Sequence, residues 1–343
     1  MKKYRMFILS FVVFLSSCFV SKDGPFLVDE KIENEKWLDY VISGESKVFA
    51  SLDNFEIEGV YANLDINSSS ESDCIKYEIT GLTEDFIEIE EMEKSFSIRE
   101  IDFLENRPSG RGSKVIVKIK ITLPESKNLQ NVNLKIRRDL NFKGAISENL
   151  NLSTGCGQVR MDLKDSSLKD VVLRTGTGST CISNFSAEQF DCTGRTGKIE
   201  LTNCKVNNPE FDLQGALEFQ GSASENLNLN AGCGQVRMDL KDSSLKDVVL
   251  RTGTGSTCIS NFSAEQFDCT GRTGKIQLTN CKVNNPEFKL ESCLDFQGNV
   301  IGNLKLNAGY GNVYMDLCNS VVENLDVKTG TGTCRIGNFK YKK

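Results

Sequence analysis

A segment of 64 residues occurs twice in this sequence with almost no change. Residues 148–211 return as residues 225–288, at an offset of 77 positions. The two copies differ at three positions, Ser153/Asn230, Thr154/Ala231 and Glu200/Gln277. A third, diverged copy follows, and its similarity to the others fades after Phe339. Long repeats of this kind indicate a stack of similar units rather than a single closed core.

Each copy consists of shorter units, here called rungs, in which apolar and polar residues alternate. Residues 159–163, with the sequence VRMDL, are one example. One column of inward positions contains Val159, Thr180, Ile199, Leu217, Val236, Thr257, Ile276, Leu294, Val313 and Cys334. A second column, two residues later, contains Met161, Ile182, Leu201, Phe219, Met238, Ile259, Leu278, Phe296, Met315 and Ile336. Alternation with a period of two predicts strands with one buried face, and the next rung must cover that face.

The rest of each rung supplies a further apolar column and the turns. We predict a register with Leu152 beside Leu173, Cys192 and Leu213, at steps of 21, 19 and 21 residues. Glycines precede the strands of the first two columns, at Gly155, Gly157, Gly176, Gly178, Gly194, Gly197 and Gly215. We predict that these glycines turn the backbone sharply at positive φ.

These patterns predict an all-β protein whose main part is a parallel β-solenoid of about eleven rungs. Strands in a sheet lie roughly 4.8 Å apart, so such a stack is on the order of 50 Å long. Residues 37–130 lack the repeat but contain strand-like segments, and we predict that they form a β-rich N-terminal cap. The solenoid is predicted over residues 131–339, with copies from about 142, 219 and 296, before a basic tail at 340–343.

The N-terminus predicts export and lipid anchoring. Residues 1–17 contain three basic side chains, a short apolar run and then small residues before Cys18, which is typical of a secretory signal peptide. The apolar run is too short to cross a bilayer of roughly 30 Å as a helix. Residues 15–18, LSSC, resemble the lipobox of bacterial lipoproteins, and by that resemblance Cys18 carries the lipid. An ordinary signal peptide with an incidental cysteine is the alternative. Residues 18–36 are largely polar and are predicted to be a tether.

The body of the chain resembles a family of bacterial β-strand-repeat domains, often labelled adhesins, that form a stack like a toast rack. The resemblance lies in residues 114–124 (KVIVKIKITLP), residues 132–145 (VNLKIRRDLNFKGA) and the recurring Thr/Ser-Gly-x-Gly before an alternating strand. It covers roughly residues 50–339. It implies a stacked β fold and a place in the cell envelope, and it carries over no catalytic residues.

Composition excludes several classes of function. The formal charge is −6, and removal of the leader leaves 38 basic against 47 acidic residues, or −9. An acidic body disfavours nucleic acid, whose binding requires Lys and Arg on phosphates. The chain contains no histidine and no Cys-x-x-Cys, which rules out Cys/His zinc sites. The Gly-rich turns at 176–178 and 194–197 lack a following Gly-Lys-Ser/Thr, so we discard nucleotide binding and predict no cofactor.

For most of the 13 cysteines, the position in these columns predicts whether the side chain faces inward or outward. Two replace leucine at inward positions and are predicted to be buried hydrophobes, Cys192 and Cys269. Four are predicted to face outward, in turns or on strands, namely Cys156, Cys233, Cys181 and Cys258. Two are placed at strand ends, Cys204 and Cys281. Equivalent cysteines of the two copies lie four rungs apart, roughly 19 Å, and cannot pair. A disulfide between neighbouring rungs, joining a turn cysteine to an outward one, stays open.

Two charged pairs are the candidate ligand-facing residues. Arg160 and Asp162 recur as Arg237 and Asp239, and Asp316 repeats the aspartate in the third copy. Equivalent aspartates lie four rungs apart, roughly 19 Å, so no two of them can act on one reacting atom. The absence of histidine also removes the commonest general base. The alternative interpretation is a solvated outer face with Asp–Arg pairs between rungs. We therefore predict that the chain is not an enzyme.

These observations predict a lipid-anchored, non-catalytic envelope or surface protein that serves as an adhesin-like binding or display module. Its expected partners are the membrane, through lipidated Cys18, and an extracellular or envelope protein or glycan. The alternative is a structural scaffold that self-assembles or docks a partner at the C-terminal end of the stack, near Val327 and Ile336. A β-helix enzyme that processes polysaccharide is less favoured. The predicted location is the bacterial cell envelope, at the outer surface or on the periplasmic side.

Overall fold

The structure is a computed structural model that describes residues 41–46, 52–81, 87–100, 117–125 and 129–342. The predicted leader, Cys18 and the tether lie outside these residues. The described residues form strands and no helix, so none of them forms a helix able to span a membrane. All strands belong to one continuous sheet that winds into a parallel β-solenoid of about eleven turns, and the predicted fold class is therefore confirmed.

The strands are numbered in chain order. They are β1 (Val41–Ser46), β2 (Leu52–Val60), β3 (Ala62–Ser69), β4 (Ile75–Thr80), β5 (Ile87–Met92), β6 (Ser95–Glu100), β7 (Val117–Pro124), β8 (Leu129–Ile136), β9 (Leu140–Lys143), β10 (Ile146–Thr154), β11 (Val159–Thr175), β12 (Thr180–Gly194), β13 (Lys198–Leu213), β14 (Ala216–Ala223), β15 (Glu225–Ala231), β16 (Val236–Thr252), β17 (Thr257–Gly271), β18 (Ile276–Asn284), β19 (Glu287–Leu290), β20 (Leu294–Ala308), β21 (Val313–Thr329) and β22 (Cys334–Tyr341).

A full rung consists of three straight segments separated by corners. In β11 the buried positions alternate over residues 159–163, 166–168 and 171–175, and two consecutive residues outside the core separate the segments. We call the faces that these segments build wall one, wall two and wall three. Wall one continues through the strands β9, β11, β12, β13, β14, β16, β17, β18, β20, β21 and β22, each parallel to the next.

The two predicted inward columns on wall one are confirmed. Val159 pairs with Thr180, and the column continues through the predicted residues to Val313 and Cys334. The column that begins at Met161 keeps the same register to Ile336.

The predicted register on wall three is wrong by two residues. Leu152 pairs with Leu173, and Leu173 pairs with Cys192, but Cys192 pairs with Phe211. Leu213 instead pairs with Gly194. A shift of two residues returns the same face to the core, so alternation alone does not distinguish the two registers.

Phenylalanine fills the interior of the first two copies. Phe190, Phe211 and Phe219 are almost wholly buried. The ring centroid of Phe211 lies 5.5 Å from that of Phe190 and 6.1 Å from that of Phe219. The second copy repeats the group, with Phe288 at 5.5 Å from Phe267 and 5.9 Å from Phe296. Aromatic pairs at these separations add to the stabilisation that comes from burying their surface.

The glycine turns serve a different purpose from the one predicted. Among the described glycines only Gly81 and Gly302 have positive φ. A Cβ placed on Gly178 would lie 1.8 Å from the carbonyl oxygen of Gly157, and one on Gly197 would lie 1.9 Å from that of Gly178. Glycine is therefore required because successive rungs approach each other too closely for a side chain at this corner.

Asparagine takes the positive φ that was predicted for glycine. The corner between wall one and wall two has left-handed backbone at Asn184, Asn203, Asn261, Asn280, Asn319 and Asn338, and in β11 and β16 at Lys164, Asp165 and Lys241. Asparagine is one of the few residues with a side chain that tolerates this conformation. The side chains form a ladder between rungs, since Asn203 Nδ2 donates to Asn184 Oδ1 at 2.7 Å and Asn280 Nδ2 to Asn261 Oδ1 at 2.6 Å.

We expect Asn203→Ala to lower the free energy of unfolding by about 2 kcal/mol, from a strained φ and a lost hydrogen bond. Asn203→Gly should cost less, because glycine keeps the backbone conformation and loses only the amide. Asn230→Ala is the control, since Asn230 Nδ2 donates to Asp212 at 2.9 Å without positive φ. Urea unfolding of the three variants measures the difference, and equal losses for all three would contradict the role of the corner.

Antiparallel strands close the N-terminal end of the stack. β3 and β7 extend wall one in parallel, and then β4 pairs with β7 and β1 pairs with β4, both antiparallel. β2, β6 and β5 close the neighbouring part of the sheet, with β5 antiparallel to β6. This arrangement protects an otherwise open edge. The predicted domain boundaries stay predictions.

Candidate functional site

Wall one presents a continuous outer face of polar side chains. Its outward columns alternate with the buried ones, so Arg160 lies beside Asn141 of β9 and Cys181 of β12. The column continues through Glu200, Glu218, Arg237, Cys258, Gln277, Asp295, Tyr314 and Arg335. The column next to it contains Asp162, Ser183, Thr202, Gln220, Asp239, Ser260, Thr279, Gln297 and Asp316. All four candidate residues from the sequence therefore lie on one wall.

Two depressions of similar size follow one another along this wall. Groove A has a volume of about 300 Å³, lies over β9, β11, β12 and β13, and reaches Asn67 of β3. Its polar lining includes Asn141, Lys143, Arg160, Asp162, Ser183, Glu200 and Thr202. Groove B has a volume of about 310 Å³ and lies over β14, β16, β17 and β18. Its polar lining includes Glu218, Gln220, Arg237, Asp239, Ser260, Gln277 and Thr279. The two grooves occupy eight consecutive strands of wall one.

The arginine and the aspartate of each groove have different surroundings. Arg160 and Arg237 are exposed, and within the described residues neither has a hydrogen-bond or ion-pair partner. Asp162 accepts a hydrogen bond from Asn184 Nδ2 at 2.8 Å, and Asp239 accepts the equivalent bond from Asn261 at 2.7 Å. The expected Asp–Arg pairs between rungs are therefore wrong. Asparagine is the partner because the corner residue of the next rung points its amide at the carboxylate.

Asp162 is the first member of the asparagine ladder. The hydrogen bond from Asn184, together with one from the backbone N–H of Lys164 at 3.2 Å, holds the pKa of the Asp162 carboxyl below its usual value. A carboxylate with a lowered pKa and two donors is a poor general base at neutral pH. Asp316 repeats the arrangement, since Asn338 Nδ2 donates to it at 2.8 Å. The sequence carried this pattern, because an asparagine recurs 22 residues after each of the three aspartates.

One of the three differences between the copies lies in these grooves. Glu200 of groove A accepts a hydrogen bond from Cys181 Sγ at 3.2 Å and forms an ion pair with Lys198. Lys198 also reaches Glu218 on the next strand at 3.0 Å. The hydrogen bonds from Lys198 and Cys181 lower the pKa of Glu200. In groove B the same position is Gln277, which accepts from Cys258 Sγ at 3.4 Å.

A larger depression adjoins groove A on the side of the cap. It has a volume of about 590 Å³ and shares Asn141 and Arg160 with groove A. Its other charged lining residues come from β3, β4, β7 and the turn before β9, and are Asp65, Glu78, Lys118, Lys120 and Asp139. Sequence reasoning missed this depression, because strands far apart in the chain form it.

Comparison with known protein families decides the classification. The Toastrack DUF4097 family profile matches residues 65–244 and again residues 214–338. The chain belongs to this family. The two overlapping matches cover most of the solenoid and confirm the predicted resemblance. No curated protein matches this Toastrack chain significantly.

Three solved structures match this Toastrack chain over most of its length at low sequence identity. A "putative adhesin" from Bacteroides fragilis has 17% identity and a TM-score of 0.32, with 81% of this chain and 97% of that one covered. A "putative lipid binding protein" from Parabacteroides distasonis has 11% identity and a TM-score of 0.32, with coverage of 89% and 98%. A "putative cell adhesion protein" from Clostridium sporogenes has 11% identity and a TM-score of 0.25, with coverage of 88% and 99%.

The cysteines of this Toastrack chain lie mostly where the sequence places them. Cys192 and Cys269 are fully buried, and Cys156 and Cys233 are exposed. Cys204 and Cys281 lie buried inside strands rather than at strand ends, because the Asn corner precedes them and the strand continues along wall two. The disulfide between rungs that the sequence left open is not formed, since all twelve cysteines of the described residues are free thiols.

We expect a thiol reagent to modify Cys156 and Cys233 in the native protein and to reach Cys192 and Cys269 only after unfolding. Burial raises the pKa of the buried thiols, to about 12 for Cys204, and so suppresses the reactive thiolate. Mass spectrometry after brief labelling with and without denaturant measures this order. Labelling of Cys192 as fast as Cys156 would contradict the buried position.

The last strands of the stack keep their apolar side chains half-buried. Leu325 and Val327 of β21, with Ile336 and Phe339 of β22, pack on the core and stay partly open to solvent. The expected incomplete cover of Val327 and Ile336 therefore agrees with their burial. Within the described residues, no group of three or more acidic or cysteine side chains is placed to hold a metal ion.

Proposed function

We propose that this Toastrack protein is a non-catalytic, adhesin-like binding module displayed at the bacterial cell envelope. The observation that carries the proposal is the outer face of wall one, where two similar grooves each present an arginine that has no hydrogen-bond or ion-pair partner among the described residues. Solenoids use extended surfaces of this kind for binding. Lipidation of Cys18, proposed from the lipobox-like sequence, supplies the membrane anchor.

The chemistry of the grooves supports binding rather than catalysis. Asp162 and Asp239 are the candidate acids and bases, and each already accepts a hydrogen bond from an asparagine. They lie four strands apart, roughly 19 Å, and the second carboxylate of each groove, Glu200 or Glu218, forms an ion pair with Lys198. General acid–base catalysis by two carboxylates requires both within reach of one substrate bond. Turnover of an acidic polysaccharide by the wild-type protein and its loss in Asp239→Asn would overturn this part of the proposal.

Protease accessibility on intact cells tests the display. Cleavage of the solenoid on intact cells, without permeabilisation, is the expected result for a surface module. Protection until the outer layer is permeabilised would contradict surface display and leave only the periplasmic form of the proposal. In the same cells Cys18→Ser should release the protein from the membrane fraction, whereas Cys156→Ser, in an exposed turn, should leave it there.

A second candidate function is a scaffold that docks a copy or a partner at the last strands. The partly open Leu325, Val327 and Phe339 favour it. Light scattering during size-exclusion chromatography tests the self-assembling form. A strict monomer at every concentration would remove that form, and Val327→Asp should abolish any dimer that is found.

A further inference from the structure

The two grooves share an arginine, an aspartate, a serine and a threonine at equivalent positions, and differ where Asn141, Lys143 and Glu200 of groove A are replaced by Glu218, Gln220 and Gln277 in groove B. Each has a guanidinium at its centre, from Arg160 or Arg237, and a carboxylate two residues later, from Asp162 or Asp239. A serine, a threonine and an amide or carboxylate side chain complete each lining. The guanidinium donates only, carboxylate and amide oxygens accept, and hydroxyls do both. A ligand that fits this set must itself carry many groups that both donate and accept, which is the property of a sugar.

Charge selects a neutral ligand over an anionic one. In groove A the charges of Lys143 and Arg160 balance those of Asp162 and Glu200. In groove B the single cation, Arg237, is flanked by Glu218 and Asp239. Lys198 forms ion pairs with Glu200 and Glu218, but the lining of neither groove carries a net positive charge, and the acidic body disfavours sulfate, phosphate or uronate groups. Apolar side chains also line each groove beside the polar groups, among them Met161 in groove A and Met238 in groove B.

The same wall carries exposed aromatic rings beyond groove B. Tyr314 occupies the third-copy position of Arg160 and Arg237, and 49% of its surface is exposed. Tyr310 lies in the preceding glycine turn and is 76% exposed. Tyrosine presents an apolar ring with a polar end, which suits an amphipathic ligand. A sugar ring has this character, with apolar C–H faces and hydroxyls around its edge.

The layout of the grooves indicates a polymer rather than a single sugar. Grooves A and B follow each other without a gap over eight strands, a length of roughly 34 Å along the stack at the strand spacing. Arg160 and Arg237 lie four strands apart, roughly 19 Å. A long chain that lies parallel to the stack axis can reach both arginines at once, whereas a short oligomer occupies one groove. Simultaneous contact raises the effective affinity, by about 10² to 10⁴ where the geometry allows it.

We propose that wall one binds a neutral sugar polymer along the stack axis, with Arg160 and Arg237 as the anchors of two equivalent subsites. This inference rests on the proposed binding function and specifies its ligand class. Each guanidinium donates to neighbouring hydroxyls of one sugar unit, and the nearby aspartate accepts from another hydroxyl. The asparagine ladder fixes the aspartates, because Asn184 and Asn261 hold them from the next rung.

Calorimetry with the full mature chain tests the inference on a panel of long and short glycans. The neutral probes are mannan, dextran, galactan and β-glucan with their short oligosaccharides, and the acidic probes are alginate and heparin. We expect one neutral polymer to bind, at least about 100-fold more tightly than its own short oligosaccharide. Arg160→Ala and Arg237→Ala should each remove most of the difference in affinity between the polymer and its short oligosaccharide. The double variant should also weaken the oligosaccharide about tenfold or more.

Arg174 and Arg251 supply the matched control. They belong to the same strands, β11 and β16, and are exposed on wall three, with no hydrogen-bond or ion-pair partner within the described residues. Arg174→Ala with Arg251→Ala changes the net charge as the test pair does, and should leave binding within about twofold. An equal loss in both pairs would indicate a general charge effect and overturn the assignment of wall one.

The other outcomes separate this inference from the function on which it rests. Binding of alginate or heparin alone would overturn the neutral-sugar assignment and keep a binding module. Binding of envelope or host-matrix proteins, with no glycan of the panel bound, would have the same meaning. Failure to bind any glycan, any such protein or whole cells would overturn both.

Discussion

Replacement of Gly178 by alanine is expected to destabilise the solenoid by about 4 kcal/mol or more, among the largest effects of a single methyl group. The added Cβ would lie 1.8 Å from the carbonyl oxygen of Gly157, far inside contact distance. That oxygen belongs to the backbone of the preceding rung and cannot move without separating two rungs. Urea unfolding followed by circular dichroism measures the loss.

The third copy offers a matched pair for this prediction within one turn. A Cβ on Gly311 would meet the carbonyl oxygen of Ser292 at 1.9 Å, whereas one on Gly309 finds its nearest atom at 3.6 Å. We therefore expect Gly311→Ala to lower the free energy of unfolding strongly, whereas Gly309→Ala should keep it within about 0.5 kcal/mol of the wild-type value. Equal stabilities for the two variants would show that close approach is not the reason for glycine at this corner.

The fold could be predicted from the sequence because two patterns agree, namely the alternation of apolar and polar residues and the length of the repeat. Alternation places Val159 and Met161 on the inner face, and the repeat length then aligns each new rung with the last. The prediction failed on wall three, where two different registers both satisfy the alternation. Leu213 and Phe211 both point inward, so nothing local distinguishes a step of 21 residues from one of 19, and Phe211 pairs with Cys192. The corners after wall one decide between them, because Ile199 pairs with Thr180 and Cys204 pairs with Phe185 at the same step of 19 residues.

Asparagine adopts the positive φ that local conformational preferences predict for glycine. Positive φ is commonest for glycine, so the Gly-x-Gly turns were expected to adopt it. In the structure Asn184 and Asn203 adopt it instead, because their amides also hydrogen-bond along the stack. Glycine is used where the backbones of neighbouring rungs almost touch, as at Gly178. That contact lies between rungs, and no property of one rung reveals it.

The candidate site was predictable in its residues but not in its partners. Arg160 and Asp162 stood out as repeated charges on an outward face, and the structure places both in groove A. Their pairing was wrong, because a nearby opposite charge was preferred over the corner amide of Asn184. The continuity of grooves A and B follows from the stacking of β13 on β14 across a repeat boundary. Only the three-dimensional register shows this junction.

Truncation of Phe211 to alanine is the second change with a large expected effect, about 3 to 5 kcal/mol. Its ring is 1% exposed and packs between Phe190 and Phe219, at centroid distances of 5.5 and 6.1 Å. Alanine would leave a cavity lined by these two rings, and the adjacent strands restrict its collapse. The control is Tyr310→Ala, at a ring that is 76% exposed, which should change stability by less than about 0.5 kcal/mol.

The duplication allows the same experiment to be performed twice in one molecule. Phe288 is the copy of Phe211, equally buried between Phe267 and Phe296, so Phe288→Ala should cost a similar amount. The two sites lie four strands apart, roughly 19 Å, and share no aromatic contact, so their costs should add within about 0.5 kcal/mol. A solenoid in which each rung contacts only its neighbours requires this additivity. Urea unfolding of the double variant measures it, and a total well below the sum would show that one copy already unfolds separately from the other.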